Sequence, residues 1–231
     1  MVPDVARHNN DVLAILFDID GTLITTGGAS AVAWCRAFAE LYEISVNVSE
    51  FTDPGMTDPE VGRLTFTAVI GHDPTPRELA QVMATRLAQL PAAVAESAGY
   101  RVLPGVAQLL PSLVQRGYLL GLTTGLVESA AHIKLARGDL NKYFHVGGYG
   151  SDSPDRIELT RRGIQRAGVV LGTPVDPHQV WVVGDTPLDI AAAHGAGAVA
   201  IGVASGVYTT DALRDAGADH VLSALTDGFP L

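Results

Sequence analysis

The sequence predicts an α/β fold, a parallel sheet with crossover helices and an all-helical insertion after the first strand, on three observations. Short apolar runs that end in acidic, Thr or Gly residues alternate with longer segments of helical spacing. The runs are continuously apolar, as in strands buried on both faces. About 100 residues separate the first run from the second, far more than one crossover helix needs.

The first strand is expected over residues 12–18, where Leu13-Ala14-Ile15-Leu16-Phe17 runs into Asp18. The segment before it, MVPDVARHNN, has no apolar stretch of signal-peptide length and reads as a lead into that strand. The insertion is expected over residues 27–98, dividing a core made of residues 11–26 and 99–231. Within it, Ala31, Trp34, Phe38 and Leu41 follow a 3-4-3 spacing opposite Arg36, Glu40 and Glu43, which is an amphipathic helix. A second helix is expected over 58–70. A third starts at Thr75-Pro76-Arg77-Glu78, a capping box with Pro at the first helical position, ahead of Leu79, Met83, Leu87 and Leu90. Gly27-Gly28 and Ala98-Gly99 are candidate hinges at the two junctions. Further strands follow at 118–123, 145–149, 179–184, 198–203 and 220–222, with helices at 106–116, where Pro111 should bend the axis, and at 155–167.

The composition narrows the function. With 231 residues, 47% hydrophobic and 17% charged, the chain can bury a sizeable core, and its apolar runs are too short to span a bilayer. A net charge of −10 without a basic run disfavours nucleic acid and anionic membrane. It does not disfavour a small phosphate, which acidic residues can attract through a shared divalent cation. The single cysteine, Cys35, rules out an internal disulfide framework and a thiolate metal cluster, so a cytoplasmic location is expected.

In an open parallel sheet the loops at the carboxyl ends of the strands converge on one crevice. Strand one ends in Asp18-Ile19-Asp20-Gly21-Thr22, strand two in Thr123-Thr124-Gly125, and strand four in Gly184-Asp185-Thr186-Pro187-Leu188-Asp189. Arg156 follows strand three at the start of a helix. Taken singly, Asp185 and Asp155 read equally well as helix caps, Thr124 as a turn hydroxyl and Arg156 as a solvated charge. Asp18 does not fit so bland a reading, because a carboxylate joined to an apolar strand is costly unless a cation or hydrogen bonds stabilise it.

Together these segments resemble the haloacid dehalogenase superfamily. Asp18-Ile19-Asp20-Gly21-Thr22 is similar to its first motif, DxDGT; Thr124 resembles the second, Arg156 the basic third, and Gly184 to Asp189 the acidic fourth, GDxxxD. The resemblance covers residues 12–222 and implies a Rossmann-like core with a mobile cap between the first two motifs. Gly55-Met56-Thr57-Asp58-Pro59 is similar to a GxTDP stretch of phosphoglycolate-phosphatase-like members. Two positions depart from the family pattern: the third motif is commonly Lys followed by Pro, and Leu126 stands where many relatives carry Asn or Lys.

The resemblance implies a phosphomonoester hydrolase in which Asp18 is the nucleophile and forms an aspartyl-phosphate. Asp20 would be the acid and base; Asp18, the main-chain carbonyl of Asp20, and Asp185 would hold Mg²⁺. Thr124, Gly125 and Arg156 would hold the phosphoryl oxygens, with Thr22 and Asp189 in support. Thr57 and Asp58 are candidate cap contacts to the substrate, Asp58 being equally an N-cap. The expected partner is a small phosphorylated metabolite, phosphoglycolate foremost, with no nucleic acid and no membrane; the oligomeric state stays open. The alternatives are a beta-phosphoglucomutase-like mutase and a phospho-accepting or non-catalytic regulatory domain.

Overall fold

The structure is a computed structural model that describes residues 12–231. The lead segment MVPDVARHNN lies outside the described residues. Six strands form one sheet in the order β5-β4-β1-β6-β7-β8: β1 (Ala14–Phe17), β4 (Leu119–Thr124), β5 (Val146–Tyr149), β6 (Val180–Gly184), β7 (Val199–Val203) and β8 (His220–Leu222). All neighbours are parallel, so all carboxyl ends face one way. In register, Leu16 pairs with Gly121 on one side and Val182 on the other, placing β1 in the centre.

The strands alternate between two cores, as a pleat of period two requires. Ile15, Phe17, Leu122, Trp181 and Val183 pack on one face with α4 (Val106–Gln115) and α5 (Glu128–Ala136). Ala14, Leu16, Val180 and Val182 pack on the other with α6 (Arg156–Leu171), α7 (Pro187–Ala196) and α8 (Thr210–Asp215). Pro111 sits inside α4, which continues to Gln115.

The insertion carries α1 (Ala29–Tyr42), α2 (Asp58–Ile70) and α3 (Pro76–Glu96). The capping box predicted at Thr75 and Glu78 is present, and α2 ends at Gly71 with φ 91°, a left-handed conformation that glycine adopts without strain. Trp34, Phe38, Val46, Val48, Phe66 and Val82 form a separate apolar cluster within the insertion. Its base, however, is continuous with the main core: Ala29, Ala33, Leu90, Ala93 and Val94 share one cluster with β1 and β4.

Just outside residues 27–98, β2 (Ile24–Thr25) and β3 (Arg101–Val102) form an antiparallel ribbon where the chain leaves and rejoins the sheet, two short strands the sequence reading did not include. Gly27 and Gly99 pack back to back beside it; a Cβ on Gly99 would lie 2.9 Å from the Cα of Gly27. Strands of two residues are too short for any periodicity to mark them. No helix among the described residues is long and apolar enough to cross a membrane.

Candidate active site

The carboxyl ends of β1, β4 and β6 and the start of α6 meet beneath the insertion, lining a cavity of about 550 Å³, within the range of small-ligand sites. Asp18 follows β1 directly and is 7% exposed. Carboxylate oxygens of Asp18, Asp185 and Asp189 lie within 4.8 Å of one another, so three buried acids face each other. Arg156, the first residue of α6, brings its Nη2 to 3.5 Å from Asp18 Oδ1 and bonds Asp189 with the same nitrogen. Thr22 Oγ1 donates to Asp185 Oδ1 at 3.2 Å. Asp189 also closes a capping box on Thr186 at the start of α7, so the helix-cap reading and the site reading both apply to it.

The electrostatics follow from this crowding. Burial, then Asp189, hold Asp18 well above the ordinary carboxylate range, with Asp185 and Asp20 adding to the rise and Arg156 opposing it. Burial and Asp189 push Asp185 up to about 7, against the pull of the Thr22 hydroxyl. Burial works to lower Arg156, but Asp189 and Asp18 outweigh it and hold the guanidinium above its ordinary value.

A hard divalent cation suits these residues. The donors are carboxylate oxygens, the negative charge at the site exceeds what Arg156 offsets, and the oxygens are close enough to share one ion. Space around Asp185 is kept by two glycines: a Cβ on Gly21 or Gly206 would run into its carboxylate.

The raised Asp185 gives a sign to the pH dependence. Its contribution to stability is present in metal-free solution below about pH 4 and is lost as the pH rises through about 7. Melting temperatures in EDTA are therefore expected to fall over that window, and less steeply in Asp185→Asn. Equal slopes in the two proteins would remove Asp185 as the source.

The structure brings Thr124, Gly125, Arg156, Asp18, Asp20 and Asp185 to the cavity wall. Asp20 does not join the group of three acids, because its carboxylate is paired with Lys134 of α5, a fully buried ammonium that the sequence reading missed. Tyr100 Oη donates to the main-chain carbonyl of Lys134 at 2.8 Å, fixing that turn of α5.

Of the insertion's residues near the site, Pro54, Gly55 and Met56 line the cavity, and Thr57 and Asp58 follow directly after them without lining it. Thr57 precedes α2 without a side-chain cap bond, and its Oγ1 is buried with no partner among the described residues. Asp58 is the first residue of α2 and accepts on Oδ2 from both Arg86 Nη1 and Val127 N, each at 3.0 Å. Its own N–H donates to the Gly125 carbonyl at 2.7 Å. The insertion is thus tied to the loop after β4, and again to Arg156, whose Nη1 donates to the Gly55 carbonyl at 2.8 Å.

Comparison with known proteins bears on family and fold. A family model described as haloacid dehalogenase-like hydrolase matches residues 12–197. A Dickeya dadantii (strain 3937) protein named "Probable phosphatase IndB" is 29% identical over 219 residues, 87% of this chain and 85% of that one. The phosphoglycolate phosphatase of Escherichia coli (strain K12) is 26% identical over 243 residues, 95% of this chain and 92% of that one. Among solved structures, CbbY from Rhodobacter sphaeroides in complex with phosphate superposes with a TM-score of 0.70 at 22% identity, covering 94% of this chain and 96% of that one. A hydrolase from Pseudomonas syringae superposes with a TM-score of 0.68 at 23% identity, covering 94% and 95%. At these identities the two structures show the fold alone.

Proposed function

Since the chain belongs to the haloacid dehalogenase-like hydrolase family, we propose that it is a Mg²⁺-dependent phosphomonoester hydrolase acting on a small phosphorylated metabolite. The observation that carries this reading is the Asp18 carboxylate, set at the end of the central strand among two further acids and facing Arg156 under a covering insertion. A phospho-accepting switch domain would need Asp18 open to a protein donor, and the insertion tied down at Gly55 and Asp58 disfavours that.

In this mechanism an oxygen of Asp18 attacks phosphorus, forming an aspartyl-phosphate as the ester O–P bond breaks. The leaving alkoxide takes a proton from Asp20. A water then attacks the aspartyl-phosphate and gives a proton to Asp20 as the Asp18–phosphorus bond breaks, releasing inorganic phosphate. Thr124 and Arg156 would hold phosphoryl oxygens as charge spreads over them. Asp18, Asp185 and the main-chain carbonyl of Asp20 would hold Mg²⁺, which supplies positive charge that lets an anionic nucleophile approach an anionic ester. Asp189 serves as the partner that aims Arg156.

The test is phosphate release from an aryl phosphate and an alkyl phosphate, with Mg²⁺ and with EDTA. Release is expected only with Mg²⁺. Asp20→Asn should lose alkyl turnover by about 10²-fold or more and aryl turnover by less, since an aryl oxide leaves without a proton. Full activity in EDTA would remove the metal from the reading, and equal losses on both esters would remove Asp20 from the acid role.

A further inference from the structure

That reading leaves the alcohol half of the ester open, and we infer that the site takes phosphomonoesters of uncharged, hydroxyl-bearing alcohols in preference to phosphates carrying a second anionic group. The inference rests on the phosphomonoesterase reading and on the chemistry of the cavity wall.

Arg156 is the one cation among the described residues that line the cavity. Its Nη2 is shared by Asp18 and Asp189, its Nη1 donates to the Gly55 carbonyl, and the charge that remains serves the transferring phosphoryl group, with only the buried Nε unpartnered among the described residues. The buried cations Lys134 and Arg86 do not line the cavity: Lys134 pairs with Asp20, and Arg86 pairs with Asp58, its guanidinium carbon 5.2 Å from the Trp34 ring centre. Apart from the acids and Arg156 the lining is neutral. Pro54, Met56, Leu126 and Val207 contribute apolar residues to it. Thr25, Thr26 and Ser30 contribute hydroxyl-bearing residues, and Ser30 Oγ has no partner among the described residues.

A carboxylate or second phosphate brought against Met56 and Leu126 would lose water and gain no opposite charge. It would also share the cavity with the carboxylates of Asp20 and Asp185. A neutral polyol or sugar loses less, since its carbons can rest on the apolar residues and its hydroxyls can meet the Thr and Ser residues. Phosphoglycolate, the substrate in the names of several relatives, carries its carboxylate one methylene from the ester oxygen, where this wall offers nothing to pair with it. Mutase chemistry meets the same obstacle. Moving a phosphoryl group between two hydroxyls of one sugar passes through a bisphosphate, whose second phosphate needs a second anion site.

The experiment compares kcat/KM for p-nitrophenyl phosphate, glycerol 1-phosphate, a hexose 6-phosphate, phosphoglycolate and a hexose 1,6-bisphosphate in the full chain with Mg²⁺. Turnover of the aryl phosphate tests the phosphatase reading by itself. The glycerol or hexose monophosphate is expected to exceed phosphoglycolate and the bisphosphate by about tenfold or more. Leu126→Lys and, independently, Met56→Arg should each raise the ratio of phosphoglycolate to glycerol phosphate by about tenfold, since each supplies the missing charge. Wild-type preference for phosphoglycolate or the bisphosphate, with aryl turnover intact, overturns the inference and leaves the phosphatase reading standing. Isomerisation of the hexose phosphate without phosphate release also overturns it. No turnover of any ester overturns both.

Discussion

Asp18→Asn is expected to lower phosphate release by about 10⁴-fold or more while making the metal-free protein more stable. The first effect follows from chemistry: an amide cannot form the aspartyl-phosphate, and no neighbouring group can substitute for it, because Asp185 and Asp189 are engaged with Thr22 and Arg156. The second follows from crowding. Asp18 is buried against two other acids, and its carboxyl is held far above its ordinary range by burial and then by Asp189. Replacing it removes that cost and leaves Arg156 with Asp189. For a chain of this length each kcal/mol gained raises the melting temperature by about 2–4 °C. Turnover within about a hundredfold of wild type would exclude Asp18 as the nucleophile. A lower melting temperature in EDTA would mean that the Asp18–Arg156 contact outweighs the crowding.

The second large effect is on stability alone. Asp58→Ala should cost about 3–5 kcal/mol, because it leaves Arg86 charged and buried without its counterion. Arg86 has no reserve of partners: its Nε and Nη2 have none among the described residues. Arg86→Met placed in the Asp58→Ala background should recover part of the loss, since it removes the stranded charge. Urea denaturation of the two single variants and the double variant measures this. A double variant as unstable as the sum of the singles would show that the two residues do not act as a pair.

The sequence was most legible where chemistry and strand ends coincide. Asp18 stands out because an acid joined to an apolar strand is costly without cause, Asp185 and Asp189 only through the fourth motif they share, and the structure gathers all three. All six strands of the sheet were visible as apolar runs, the last of them weakly, and α3 through its capping box. Lys134 and Arg86 were not visible, because a basic residue in a helical segment reads as solvated. Only tertiary packing shows that each is sealed against an acid from another segment. The contacts of Asp58 were hidden for a related reason, since its carboxylate bridges α3 and the start of α5, which sequence spacing cannot reveal. The β2–β3 ribbon escaped notice because its pairing joins residues on opposite sides of the insertion.

The central position of β1 bears on how the molecule is made. Leu16 is bonded between Gly121 and Val182, so the strand synthesised first is flanked by two that arrive far later. At about 5–20 residues per second, the ribosome takes on the order of ten seconds or more to deliver the second of them. Through that interval Ala14–Phe17 is an apolar strand with open edges, the kind of segment that pairs with the wrong chain. The insertion has an apolar cluster of its own, all of whose residues are made before β4. Asp18 is therefore made early and placed late: it has no buried site until the strand leading to Asp185 has left the ribosome and docked beside it.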